Sequence, residues 1–157
     1  MGKRARKGAK ARRMVMTFVN EGVSVEAELL EDRAPRTCRT VWNLLPLEGE
    51  VVHAVYSGSE VVYKFPKMVS IPPENVTSRT LPGDVAYFSI QGGESYFYPK
   101  SLAEICWFYD RDARPSSPEG PVQVSVFARI VGDATEFYKV CRRIRREGYK
   151  TIRFSRA

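Results

Sequence analysis

VQVSVFARIVGDATEFYKVCRRIRRE, residues 122–147, holds a strand, a turn and a helix in one run, and its reading decides the fold. Residues 122–131 are dense in Val, Ile and Phe, the composition of a strand. Gly132 turns the chain. Asp133 and Glu136 then stand at capping-box spacing ahead of a helix over 134–147, and Gly148 stops it. Phe137, Cys141 and Ile144 give that helix an apolar face, which leaves Arg142, Arg143, Arg145 and Arg146 for its outer face. A last strand, 150–155, follows.

Upstream the same punctuation repeats. Residues 14–19 and 23–30 are strand-like runs joined by Asn20-Glu21-Gly22, a hairpin signal. In the second run Val23, Val25, Ala27 and Leu29 alternate with Ser24, Glu26 and Glu28, so one face is dry and the other wet. Asp32 and Pro35 open a first helix, with proline where its missing N–H is harmless. Cys38, Val41, Trp42 and Leu45 form its apolar stripe, and Pro46 closes it. Strands follow at 50–56 and 60–65, joined around Ser57-Gly58-Ser59. Four prolines mark 66–83 as loop. Residues 84–90 and 104–109 are strands, and 110–121 is a long polar loop of the kind that is functional or mobile in compact domains. Many antiparallel strands with a helix near either end imply a mainly β protein. The expected fold is a closed barrel of about eight strands capped by two helices.

Of the 157 residues, 43% are hydrophobic, enough for one core and one domain. No apolar run reaches the ~20 residues of a membrane-spanning helix, and no secretory signal is legible, so no membrane partner and a cytoplasmic location are expected. Cys38, Cys106 and Cys141 are too few for a disulfide framework. The net charge of +7 has an address. Residues 1–13 carry seven of the 25 basic residues and no acid, which leaves 18 basic against 18 acidic residues in the rest. The expected organisation is therefore a disordered basic tail, 1–13, and a neutral domain, 14–157. Such a tail could hold nucleic acid through phosphates, in a salt-dependent way. A nucleic-acid domain usually carries a basic stripe on the fold too, and the second basic cluster here, Arg142, Arg143, Arg145 and Arg146, reads as the outer face of the last helix.

LLEDRAPRTCRTVWNLL, residues 29–45, resembles the cyclophilin pattern of a strand, an Asp-x-x-Pro-x-Thr turn and a first helix. VSVFARIVGDATEFYKVCRRI, 124–144, is similar to the closing cyclophilin segment, and LPLEGEVVHAVYSGSEV, 45–61, to the middle of bacterial cyclophilin-like proteins of unknown function. The resemblance spans most of 14–155 and implies the fold; activity needs its own residues. Cyclophilins isomerise X-Pro bonds with an arginine that follows a Phe-His pair. Here Val52-His53 is followed by Ala54, which cannot donate to the twisting amide. The family's Gly-Phe-Met-x-Gln run meets Gly58-Ser59-Glu60-Val61-Val62, and the loop bearing its pocket Trp and His matches 110–121, which has neither. What the resemblance implies is a barrel that has lost the isomerase apparatus. Prolyl isomerase activity with Arg111 or Arg114 as a displaced donor is the enzymatic alternative.

The sole histidine, His53, excludes a multi-histidine metal site, and no CxxC or HExxH spacing exists, so neither metal nor cofactor is expected. His53 reads as a hydrogen-bonded structural histidine or as a pocket acid or base. A Cys-His nucleophile would need Cys106 beside it. The candidate ligand-binding residues are His53, Tyr56, Ser57 and Glu60 around one strand turn, and Gln91 before Gly92-Gly93. Trp107, as a pocket aromatic, and Tyr109, Arg111 and Arg114, leading into the long loop, complete the set. Carboxylate, imidazole, phenol and guanidinium together suit a small polar ligand or a peptide. The competing reading makes the charges ordinary surface groups.

Overall fold

A computed structural model describes residues 10–157. Its organising unit is the hairpin β1 (Arg13–Phe18) and β2 (Val23–Leu29), whose side chains alternate between core and solvent. Met14, Met16 and Phe18 face inward beside Val25 and Ala27. The last strand, β11 (Lys150–Arg156), pairs with the other edge of β1, setting Phe154 opposite Met16 and Ile152 opposite Phe18. A period of two on three adjacent strands puts all these apolar side chains in one interior.

From β11 the sheet continues through β3 (Leu47–His53), β4 (Glu60–Lys64), β7 (Leu102–Phe108), β6 (Asp84–Ile90) and β10 (Val124–Val131), and β10 pairs back onto β2. Every pairing is antiparallel, so eight strands close a barrel that has no free edge. A two-residue strand, β5 (Val76–Thr77), adds to the start of β10. Within the long loop, β8 (Ser116–Ser117) and β9 (Gly120–Pro121) form a small hairpin. Gly49 on β3 is set by close approach: a side chain there would meet the Tyr63 ring at 2.9 Å.

The helices sit at opposite ends. α1 (Pro35–Leu44) inserts Cys38 and Val41, and its Trp42 lies under the guanidinium groups of Arg12 and Arg156, at the start of β1 and the end of β11. α2 (Thr135–Glu147) inserts Phe137, Val140, Cys141 and Ile144 at the other end, beside Phe18 and Trp107. The mainly β closed barrel with two helices is thus as the sequence reads.

Three local readings need correction. Asp133 accepts from the Thr135 N–H (3.0 Å) and hydroxyl (2.7 Å), while Glu136 pairs with Lys139, so no capping box forms ahead of α2. The strand expected at 50–56 ends at His53, and that expected at 122–131 begins at Val124. Arg12 and Arg13, assigned to the tail, belong to the barrel: Arg13 opens β1 and pairs with Glu26, and Arg12 pairs with Glu31. Of the rest of the expected tail, Lys10 and Ala11 are exposed and outside any strand or helix, and 1–9 lie outside the described residues. No described helix is long and apolar enough to cross a membrane.

The start of α1 has no side-chain cap of its own. Glu74, from the proline-rich 66–83 segment, supplies one from 37 residues away, accepting from the N–H groups of Arg36 (3.1 Å) and Thr37 (3.2 Å). A carboxylate there both satisfies orphan donors and meets the positive end of the helix. Glu74→Ala is expected to cost about 1–2 kcal/mol in urea unfolding. A loss below a few tenths of a kcal/mol would show that solvent caps the helix equally well.

Candidate functional site

The wall made by β4, β7 and β6 is buried on both sides. On β7, Ala103, Ile105 and Trp107 face the interior, so Glu104, Cys106 and Phe108 face outward. Register aligns the outward residues in rows across the strands. Lys64, Glu104 and Phe88 form one row, Val62, Cys106 and Ala86 the next, and Glu60 lies opposite Phe108. Ala86, Cys106 and Phe108 join Ala113, Val124 and Val126 in a second apolar cluster outside the barrel proper.

The 110–121 segment is tied to the turn that precedes β4. The Ser57 hydroxyl donates to the Ser116 carbonyl (3.2 Å) and accepts from the Ser116 N–H (2.9 Å), and the Arg114 N–H donates to the Ser57 carbonyl (2.8 Å). Gly58 adopts φ +74° and lies so near Asp112 that a Cβ would stand 2.7 Å from its carbonyl oxygen, so this junction requires glycine. The Ser95 hydroxyl donates to Glu119, which ties the 91–101 segment to the β8–β9 hairpin. Ala86, Cys106 and Phe108 are closed over, while Val62, Phe88, Tyr98 and Glu104 remain half-exposed at the open side.

Two carboxyl groups stand in this compartment. Glu60 is only 6% exposed, and burial pushes its pKa up to about 7. The Ser57 hydroxyl and Cys106 thiol are near enough to lower it slightly. The same Ser57 hydroxyl also lies 3.2 Å from the Ser116 carbonyl and the Cys106 thiol 3.7 Å from the Ala86 carbonyl, so each donor is shared between two acceptors. Among the described residues no cation lies within ion-pair distance of Glu60 or Glu104. Burial first, and then the charge of Glu60, raise Glu104 to about 8, with Lys64 opposing. Each group can therefore hold or release a proton near neutrality, which suits acid–base work or the capture of a donor-bearing ligand. Tyr98 feels both carboxylates as well as Glu119 and Tyr56, so these groups share one space.

His53 lies at the α2 end of the barrel. Its Nε2 is 2.6 Å from the Tyr109 hydroxyl and its Nδ1 is 2.8 Å from the Ala54 carbonyl. Arg145 brings Nε to 3.0 Å from the same Nδ1 and donates from Nη2 to the Gly58 carbonyl (3.1 Å). Burial and the Arg145 charge hold the imidazole pKa below its usual value despite the Ala54 bond, so the ring is neutral at pH 7. With both nitrogens engaged it fixes the Ala54–Ser59 turn against α2. A cleft of about 600 Å³ opens beside it, lined by Val52, Val55, Arg145 and Tyr149.

The structure gathers some of the expected residues and separates others. Glu60 and Ser57 meet on the outer face, Tyr56 is exposed on the turn before them, and His53 and Tyr109 meet at the barrel end. His53 follows the inward row of Val61 and Trp107, whereas Cys106 faces outward, so the two do not form a Cys-His pair. Trp107 is not a pocket aromatic. It is fully buried in the interior among Phe18, Phe137 and Phe154, and its indole N–H points at the Cys141 sulfur, 3.4 Å away. Arg111 and Arg114 are exposed, and Gln91, also exposed, accepts from the Ser101 hydroxyl (3.3 Å). Glu104 and Tyr98 escaped the sequence reading, which weighed Cys106 only as a nucleophile beside His53 and gave Arg145 only to the outer face of its helix. The parity of Glu104 within 102–108 was the available signal, masked by apolar residues on both faces.

Two solved structures share this architecture. One is the solution structure of the hypothetical protein AF2241 from Archaeoglobus fulgidus, 21% identical, with a TM-score of 0.57 over 98% of this chain and 100% of that one. The other is McbB in complex with tryptophan, 16% identical, with a TM-score of 0.59 over 91% of this chain and 44% of McbB. At these identities the likeness shows the fold alone. Among curated proteins none matches. Residues 16–156, nearly all of the barrel described above, match the model of DUF3830, a protein of unknown function, and the chain belongs to that family.

Proposed function

We propose that this chain is a cyclophilin-like barrel that binds a small polar ligand or peptide on the outer face of β4, β6 and β7, and does not isomerise prolyl bonds. The observation that carries the reading is Glu60: a carboxyl nine-tenths buried beside the Ser57 hydroxyl and the Cys106 thiol, with no cation within ion-pair distance among the described residues. A buried carboxyl with no cation beside it is costly to ionise unless something else supplies the positive partner. The absence of isomerase chemistry rests on Ala54, which stands where the cyclophilin resemblance calls for the arginine, and on the exposed, outward Arg111 and Arg114, which do not replace it.

Exchange NMR on a short Ala-Pro peptide with the full chain tests the second half of the reading, and no acceleration over the slow uncatalysed rate is expected. Catalysis abolished by Arg114→Ala would replace the proposal with a displaced-donor isomerase. For the first half, amide shifts are followed while a library of polar fragments and short peptides is titrated. Movement is expected at residues 60–64, 98 and 104–108. If that face stays silent to every compound, the binding role is wrong.

A further inference from the structure

Resting on that reading of the outer face, we infer that its ligand carries a protonated amine on an apolar body, with Glu60 receiving the ammonium N–H groups and Glu104 standing on the opposite bank. Three observations lead there. Glu60 and Glu104 flank the small middle row of Val62, Cys106 and Ala86 across the sheet, so both face one compartment. Lys64, exposed and opposite Glu104, is the one cation in these rows, so once both carboxyls ionise, two negative charges face a single positive one. A ligand cation restores the balance and gives Glu60 the ion-pair partner it lacks among the described residues.

The open side is apolar and aromatic. Val62, Phe88 and Tyr98 are half-exposed there, and the rings of Phe88 and Tyr98 lie 6.4 Å apart. Such a rim fits the hydrocarbon body of an alkyl- or arylammonium ion, and aromatic faces attract cations. A metal ion would need a third converging ligand, and among the described residues no three His, Cys, Asp or Glu side chains converge.

Binding is coupled to a proton. The groups facing Glu60 are Ser57 from the turn, Cys106 and Glu104 from β7 and Tyr98 from the 91–101 segment, while Lys64 acts on Glu104, and Glu119 and Tyr56 act on Tyr98. An ammonium ion needs Glu60 ionised, and the carboxyl proton passes to solvent. Amine affinity therefore rises as the pH passes upward through about 7.

The test uses the full chain with glutamate δ-carboxyl carbons labelled and benzylamine, benzyl alcohol and benzoate as probes. Benzylamine is expected to move the Glu60 carboxyl signal, to bind at least ~10-fold more tightly at pH 8 than at pH 5, and to lose at least ~10-fold in affinity in Glu60→Gln. Equal binding of benzyl alcohol or benzoate at this face overturns the amine assignment and leaves a ligand site. If none of the three perturbs the face, the inference is overturned. The underlying reading then falls too only when the fragment and peptide titration is also silent there.

Discussion

Glu60→Gln is expected to raise the melting temperature at pH 8 by roughly 5–10 °C and to leave it nearly unchanged at pH 4.5. Burial lifts the folded-state pKa of Glu60 from 4.5 to about 7, so the folded chain holds this proton more tightly than the unfolded chain does. The stabilising contribution of the protonated carboxyl is complete below about pH 4.5 and is lost as the pH rises through about 7. Above that, the folded state carries a buried, unpaired carboxylate at a cost on the order of 2–3 kcal/mol. Glutamine keeps the shape and removes the charge. Glu104, raised for the same reasons, adds to the parent chain's loss of stability between pH 5 and pH 8. Calorimetry at the two pH values decides. A gain of the same size at both, or a loss at pH 8, would mean that the ionised carboxyl is well paired in the folded protein.

Trp107→Ala should destabilise the fold by about 3–5 kcal/mol. The indole is fully buried, with its ring centre 6.0–6.3 Å from those of Phe154, Phe137 and Phe18, so it joins β1, β11 and α2 around one point. Alanine leaves a cavity that three rings cannot collapse into together, and it strips the Cys141 sulfur of its N–H contact. Urea unfolding measures the loss, and a change under 1 kcal/mol would move Trp107 out of the core. Trp107→Phe should recover much of the stability, because it restores most of the volume. Neither change should alter the outer-face carboxyls directly, since Trp107 faces the other side of the wall.

How differently these two residues could be read in advance has a physical cause. The hairpin of β1 and β2, the proline-opened first helix and the strand–turn–helix run from β10 into α2 were legible because their signals are local. Alternation with period two shows in Val25, Ala27 and Leu29 themselves, and a helical stripe in Phe137, Cys141 and Ile144. The cap on α1 was not legible, because Glu74 reaches it from a distant proline-rich loop. Trp107 was offered as a pocket aromatic by the resemblance, and the strand's own pattern could not overrule it, because Glu104, Cys106 and Phe108 alternate with residues that are apolar. A strand buried on both faces gives no pattern to say which side is the interior.

The amino-acid order by itself determined the closed β class, the number of barrel strands, the place of both helices and the absence of a multi-histidine metal site. Only the tertiary structure decided which face of β7 meets the core, that Glu60 and Glu104 share one compartment, and that His53 is held by Tyr109 and Arg145. Those facts depend on cross-strand register and on a loop folding over one outer face. Each joins residues dozens of positions apart, and local periodicity carries no information about that pairing.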